Sequence, residues 1–172
     1  MTTHTTEELR GWLTGRLPQD WFTGPVEVTV DREEITVVGT LEEPTTADGS
    51  SPAEQAAAAA GRIKEFRERT RDQRIEVALE LEHRAQRKVS WGVQVGERRE
   101  LFTTLSVPAM TRLKQADRQV LDTLVEAGVA RSRSDALAWC VRLVGSNADT
   151  WLADLRTAME GVAKVRAEGP AT

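Results

Sequence analysis

Arg131-Ser132-Arg133-Ser134-Asp135 is the place in this 172-residue chain where residue types and spacing come nearest to chemistry. A serine three positions before an acid marks many helix starts, because its oxygen can take the free amides of the first turn. The open end of a helix presents unpaired N–H groups and a partial positive charge. With Arg131 and Arg133 beside it, such an end can hold an anion, a phosphate above all. The plainer reading is a capped helix with solvated arginines. Arg112 and Lys114, upstream, could neutralise a phosphate backbone, and the fork of Arg112 also suits the major-groove edge of guanine. Arg98 and Arg99 add two cations, and Trp91, bordered by Arg87 and Lys88, could stack on a base or a partner surface, although most tryptophans plug cores.

Catalysis has much weaker support. His4 and His83 have no ligand spacing between them, and no cysteine cluster favours zinc. There is no glycine-rich phosphate loop, nucleophile elbow or HExxH, so no catalytic residue, metal or cofactor is expected. Cys140 falls in an apolar helical stripe and reads as a small core residue. One cysteine cannot form an internal disulfide, no apolar run is long enough to cross a bilayer, and the N-terminus lacks a secretion signal; a cytoplasmic location is expected.

The net charge of −4 is unevenly spread: −7 over residues 1–50, +2 over 51–100 and +1 over 101–172. Between Arg87 and Arg133 nine basic groups face five acids. That local excess permits a polyanion partner without requiring one. The acidic first third could instead receive a protein partner or an effector.

The elements that must position these residues follow from periodicity. Leu9, Trp12 and Leu13 mark a short helix ending near Leu17-Pro18. Val26, Val28 and Val30 alternate with polar residues, turn formers stand at 31–34, and Ile35, Val37 and Val38 follow, so a β-hairpin is expected. A loop covers about 42–53. Ile63 and Phe66, then Ile75, Ala78 and Leu79, fit one long helix, with strand as the competing reading for 75–81. Residues 89–95 and 101–107 around Gly96-Glu97 read as a second hairpin. The two hairpins could join into one antiparallel sheet packed on the long helix.

Downstream, Ala116, Val120, Leu121 and Leu124 share one helical face, Gly128 stops that helix, and Leu137, Cys140, Val141 and Val144 form the stripe of the next. Ser146 or Asn147 could cap a last helix carrying Trp151, Leu152, Leu155, Met159, Val162 and Val165. Two short helices and a tight turn have too little apolar surface to stand alone, so they must dock on this chain or on a second copy. Gly169-Pro170 reads as a frayed end.

From Thr111 to Val141 the chain resembles the core of ribbon-helix-helix DNA-binding proteins, through Arg112-Leu113, Leu121-Asp122, Leu124-Val125, Gly128 and Ser132-Arg133-Ser134-Asp135-Ala136-Leu137. The resemblance covers about 101–145 and leaves the N-terminal region unassigned. It implies an intertwined homodimer whose paired strands lie in the major groove, with a phosphate at the second helix. Leu105, Val107, Leu121, Leu124, Leu137 and Val141 would then form the dimer core. Residues 105–113 would be the strand, although Pro108 lacks an amide for pairing, and the competing reading starts a helix at Pro108.

The expected fold is α+β. Residues 1–100 would form a helix-hairpin-helix-hairpin domain, and 101–168 a mainly helical dimerisation and DNA-binding domain with an extra C-terminal helix. Two functions fit. One is a homodimeric DNA-binding protein, a transcriptional regulator or chromosome-associated protein, contacting double-stranded DNA through Arg98, Arg99, Arg112, Lys114, Arg131, Ser132, Arg133 and Ser134. The other is a non-enzymatic adaptor or scaffold that uses the C-terminal fold only for dimerisation and protein contacts.

Overall fold

A computed structural model describes residues 5–168, apart from the side chain of Val165; His4 and the expected frayed end at Gly169-Pro170 lie outside the described residues. The chain is α+β and divides into two compact units, Met1–Pro108 and Ala109–Thr172.

The first unit contains α1 (Thr6–Arg16), β1 (Glu27–Val30), β2 (Glu34–Thr40), α2 (Pro52–Arg69), α3 (Arg71–Ala85), β3 (Lys88–Val95) and β4 (Arg98–Leu101). The local signals are explicit. Thr5 and Glu8 form a reciprocal capping box at α1, and Ser51 and Glu54 form another at α2, where Pro52 takes the first helical position. Between β1 and β2, Asp31 Oδ1 accepts the amides of Glu33 and Glu34 at 2.8 and 2.7 Å. These two bonds hold the Asp31 carboxyl below its ordinary pKa.

The strands lie in the order β1-β2-β3-β4. β1 and β2 pair antiparallel, as do β3 and β4, but β2 and β3 run parallel, from Glu34 beside Lys88 to Thr40 beside Gln94. The sheet is therefore mixed, which corrects the expected all-antiparallel arrangement. The reason is the connection: the passage from β2 to β3 runs through two helices, and such a crossover returns the chain in the same direction.

The expected single long helix is also two. At Thr70 the hydroxyl donates to the Phe66 carbonyl at 2.6 Å and accepts from Arg74 Nε at 2.9 Å, while Arg74 Nη2 takes the Arg67 carbonyl at 2.7 Å. Side chains thus occupy carbonyls at the junction, and the helix breaks there.

Leu9 and Leu13 of α1, Ile63 and Phe66 of α2, and Val77 and Leu81 of α3 pack with Ile35, Val37, Val93 and Val95 of the sheet in one core. Trp21 stands within it, its ring edge-on to Phe66 at 5.6 Å and to Trp91 at 6.3 Å. Trp91 is only 4% exposed. It is a core plug, so its candidacy as a stacking or partner contact is withdrawn. Its position on β3, in parallel register with Val37 of β2, puts it under the helices.

The regular elements of the second unit are all helices among its described residues: α4 (Gln115–Glu126), α5 (Arg133–Asn147) and α6 (Asp149–Glu168). Residues 105–113 are neither strand nor helix. The helix expected from Pro108 is therefore absent, and within the single protomer residues 105–113 pair with no strand of the described residues. α4 ends as its sequence requires. Gly128 has φ +74°, Val129 donates to the Leu124 carbonyl and Gly128 to the Val125 carbonyl, a paired closure that needs a residue tolerant of positive φ. α5 runs through Ser146 and Asn147, whose side chains donate back to the Leu143 carbonyl, so neither caps α6. The helices are separated only by Ala148.

Candidate interaction surface of the C-terminal unit

Among the described residues of this unit only Leu121, Ala130 and Ala136 are buried, with Leu113, Leu124, Val125, Leu137 and Cys140 packed partly against them. The contacts join α4 to the first half of α5. Beyond Cys140 most of the described large apolar side chains are exposed, Leu152 being half-buried. Val141 is 66% exposed and Val144 53%, and on α6 Trp151 is 60%, Leu155 43%, Met159 65% and Val162 52% exposed. Scattered exposed apolar groups are ordinary, but a run of large ones along two consecutive helices marks an interaction surface.

The α6 residues form a seam. Trp151, Leu155, Ala158 and Val162 recur at steps of four, three and four, the spacing with which one helix packs along another like it. Ala158 and Gly161, small and adjacent to Val162, leave a shallow groove on this helix. Of the expected dimer-core residues, Leu121 is buried inside the protomer and Leu124 and Leu137 partly so, whereas Leu105, Val107 and Val141 remain exposed.

The expected anion site has a different geometry. Ser132 does cap α5, accepting from the Asp135 amide at 3.2 Å. Asp135 does not return the bond to Ser132 but accepts the backbone amide of Arg131 at 3.0 Å. Its carboxyl is held below the ordinary range mainly by that bond. Arg133 is committed to Asp122 of α4 through two bonds of 2.6 and 2.7 Å. This fork depresses the Asp122 pKa and raises that of Arg133. The helix start therefore carries its own carboxylates. Arg131 stays exposed, reaching Asp135 only at 3.5 Å, and Ser134 is also exposed.

The remaining cations divide between the units. Arg98 and Arg99 belong to β4 of the first unit; Arg99 makes a double bond pattern with Glu27 at 2.8 and 3.0 Å, and Arg98 reaches Glu100 at 3.5 Å. Arg112 and Lys114 belong to the second, are exposed, and have no carboxylate partner among the described residues. Sequence reasoning missed the Arg133–Asp122 fork, although Asp122 was visible. Its signal was an acid on the solvent side of one helix opposite a cation at the start of the next.

A mixed-sheet α+β unit followed by a three-helix unit with an uncovered apolar face defines a two-part protein. Residues 7–101 match the Rv1265-like protein N-terminal domain and residues 114–166 the Mb1296 C-terminal domain. The chain therefore belongs to the Rv1265/Mb1296 family. It is 59% identical over 160 residues to Uncharacterized protein Mb1296 of Mycobacterium bovis and, equally, to Uncharacterized protein Rv1265 of Mycobacterium tuberculosis, spanning 92% of this chain and 69% of each relative. No solved structure matches. These matches overturn the ribbon-helix-helix resemblance: most of the stretch that carried it falls within the Mb1296 C-terminal domain.

Proposed function

We propose that the protein is a non-enzymatic, self-associating adaptor whose C-terminal unit joins two copies and leaves the two N-terminal units to meet other molecules. The observation that carries this reading is the exposed stripe of Trp151, Leu155, Met159 and Val162 on a unit with only three buried residues among those described. A second copy is the occupant favoured by the seam spacing, which a like helix matches. The near-balanced charge of residues 101–172, net +1, also lets identical units approach without strong repulsion. Light scattering of the full chain tests it: a mass of twice 19.0 kDa is expected, with Trp151→Asp plus Leu155→Asp giving a folded monomer. A wild-type monomer at all concentrations would contradict the reading.

A second reading, DNA binding by that dimer, is favoured by three exposed cations of the C-terminal unit, Arg112 and Lys114, which have no carboxylate partner among the described residues, and Arg131. Doubling a protomer's cations raises its attraction for a phosphate backbone. Mobility shifts with random duplex should then fall steeply with salt, and Arg112→Ala plus Lys114→Ala should reduce the salt slope. A dimer that shifts no duplex at moderate salt leaves the adaptor alone.

A further inference from the structure

The elbow between α2 and α3 encloses a cleft of about 690 Å³ in the N-terminal unit, lined by Lys64, Arg67, Arg71, Arg74, Phe102 and Thr103 among others. Arg74 is its most unusual member. The residue is 7% exposed, yet both of its hydrogen bonds described above end on neutral oxygens, the Thr70 hydroxyl and the Arg67 carbonyl. The Phe102 ring lies 4.7 Å from its guanidinium carbon and 5.5 Å from that of Arg67. Burial, then the repulsion of Arg67 and Arg71, pushes the Arg74 pKa down to about 10.

Buried cations are ordinarily matched by a carboxylate, and this one is not. Glu68 and Glu100 also line the cleft, but they reach Lys64 at 3.9 Å and Arg98 at 3.5 Å rather than Arg67 or Arg74, while Asp72 meets Arg71 at 3.1 Å. Neither Arg67 nor Arg74 has an ion-pair partner among the described residues. Thr70, between α2 and α3, spends its hydroxyl on Arg74 and Phe66 and makes no side-chain cap for α3.

We propose that this elbow is a binding site for the phosphoryl group of a small soluble molecule. Arg67 and Arg74, with no ion-pair partner among the described residues, and the exposed Arg71, which shares its charge with Asp72, offer more donors than the two oxygens of one carboxylate can accept, and a tetrahedral dianion with three free oxygens answers them better. The volume exceeds what a bare phosphate fills and lies in the range of small-molecule sites. Phe102 and the half-exposed Ile75 supply an apolar wall for the rest of the ligand. An anionic ligand is therefore assigned to a domain whose first third is acidic.

The test is calorimetric titration of the full chain with inorganic pyrophosphate, against sodium chloride of matched ionic strength. Saturable binding at one site per chain is expected. Arg71→Ala, at a side chain 71% exposed and so tolerant of change, should weaken it roughly tenfold or more, as should Arg67→Ala, with Arg71→Lys retaining part. Trp151→Asp plus Leu155→Asp should leave it unchanged, which separates this site from the assembly reading. Absence of heat beyond the salt control, or full binding by Arg71→Ala, would overturn the proposal. So would capture by phosphatidate-containing phosphatidylcholine vesicles without any pyrophosphate binding, because the phosphoryl group would then belong to a membrane surface.

Discussion

The N-terminal unit packs seventeen buried hydrophobic residues into one cluster, whereas the C-terminal unit buries three among its described residues. Both halves contain side-chain-capped helices, α1 and α2 in the first and α5 in the second, so the difference does not lie in capping alone. It lies in what each half does with its apolar faces. In the first, a sheet and three helices cover one another, and stability is an internal matter. In the second, α4 covers only the start of α5, and the apolar stripe continues along α6 with nothing upon it. Local propensity and capping can set helices in such a unit, but burial is what makes them cooperative. On the proposed self-association, a half-core of this kind would draw its remaining stability from a second copy.

Substitutions sharpen that contrast, beginning with the largest effect. Phe66→Ala should cost about 3–5 kcal/mol in denaturant melts, independent of protein concentration, because it hollows a complete core. Trp151→Asp should cost ~2 kcal/mol or more of association energy, read as the shift of the dimer midpoint on dilution, with the β-sheet signal unaltered. Gly39→Ala belongs to the first unit again: an added Cβ would overlap the Phe22 ring, and a loss of about 1–3 kcal/mol in thermal melts is expected. Ser132→Ala removes the α5 cap and should cost about 1 kcal/mol, confined to the helical unit. Arg133→Ala breaks an exposed pair, so its effect on stability should be the smallest of these and should shrink with salt.

Acid should weaken both halves. Glu27 and Glu80 are held below the ordinary carboxylate range mainly by their hydrogen bonds with Arg99 and Arg16, and Asp122 by that with Arg133. A depressed carboxylate pKa contributes stability that is complete above the unfolded value and is lost as pH falls through the folded one. Melts between neutral pH and about pH 3 should therefore show a falling midpoint once the solution passes below the ordinary carboxylate range near ~4.

The elements legible from sequence were those fixed by neighbours along the chain. Asp31 and Gly96, the latter at φ +55°, stand where strands reverse, and Gly128 and Ser132 stand at helix ends. What escaped depended on distant partners. The parallel β2–β3 pairing follows from the path between strands, which alternation of valines does not encode. Trp91 sits beside Arg87 and Lys88 in sequence, yet strand alternation and the packing of Trp21 bury it. The break at Thr70 depends on a buried arginine reaching back to Arg67, where helix formers on both sides suggested continuity. Among the site residues, the apolar stripe of α6 was visible from its spacing, but its exposure was not, and the pairing of Arg133 with Asp122 needed the fold of α4 against α5.

Hydrogen exchange of the full chain, followed by mass spectrometry over a wide dilution series, tests directly whether a second copy completes the C-terminal half-core. Protection of α5 and α6 should rise with protein concentration, while that of β2 and β3 stays constant. Equal protection of both units at every concentration would contradict the account, because the C-terminal helices would then be stable without a partner.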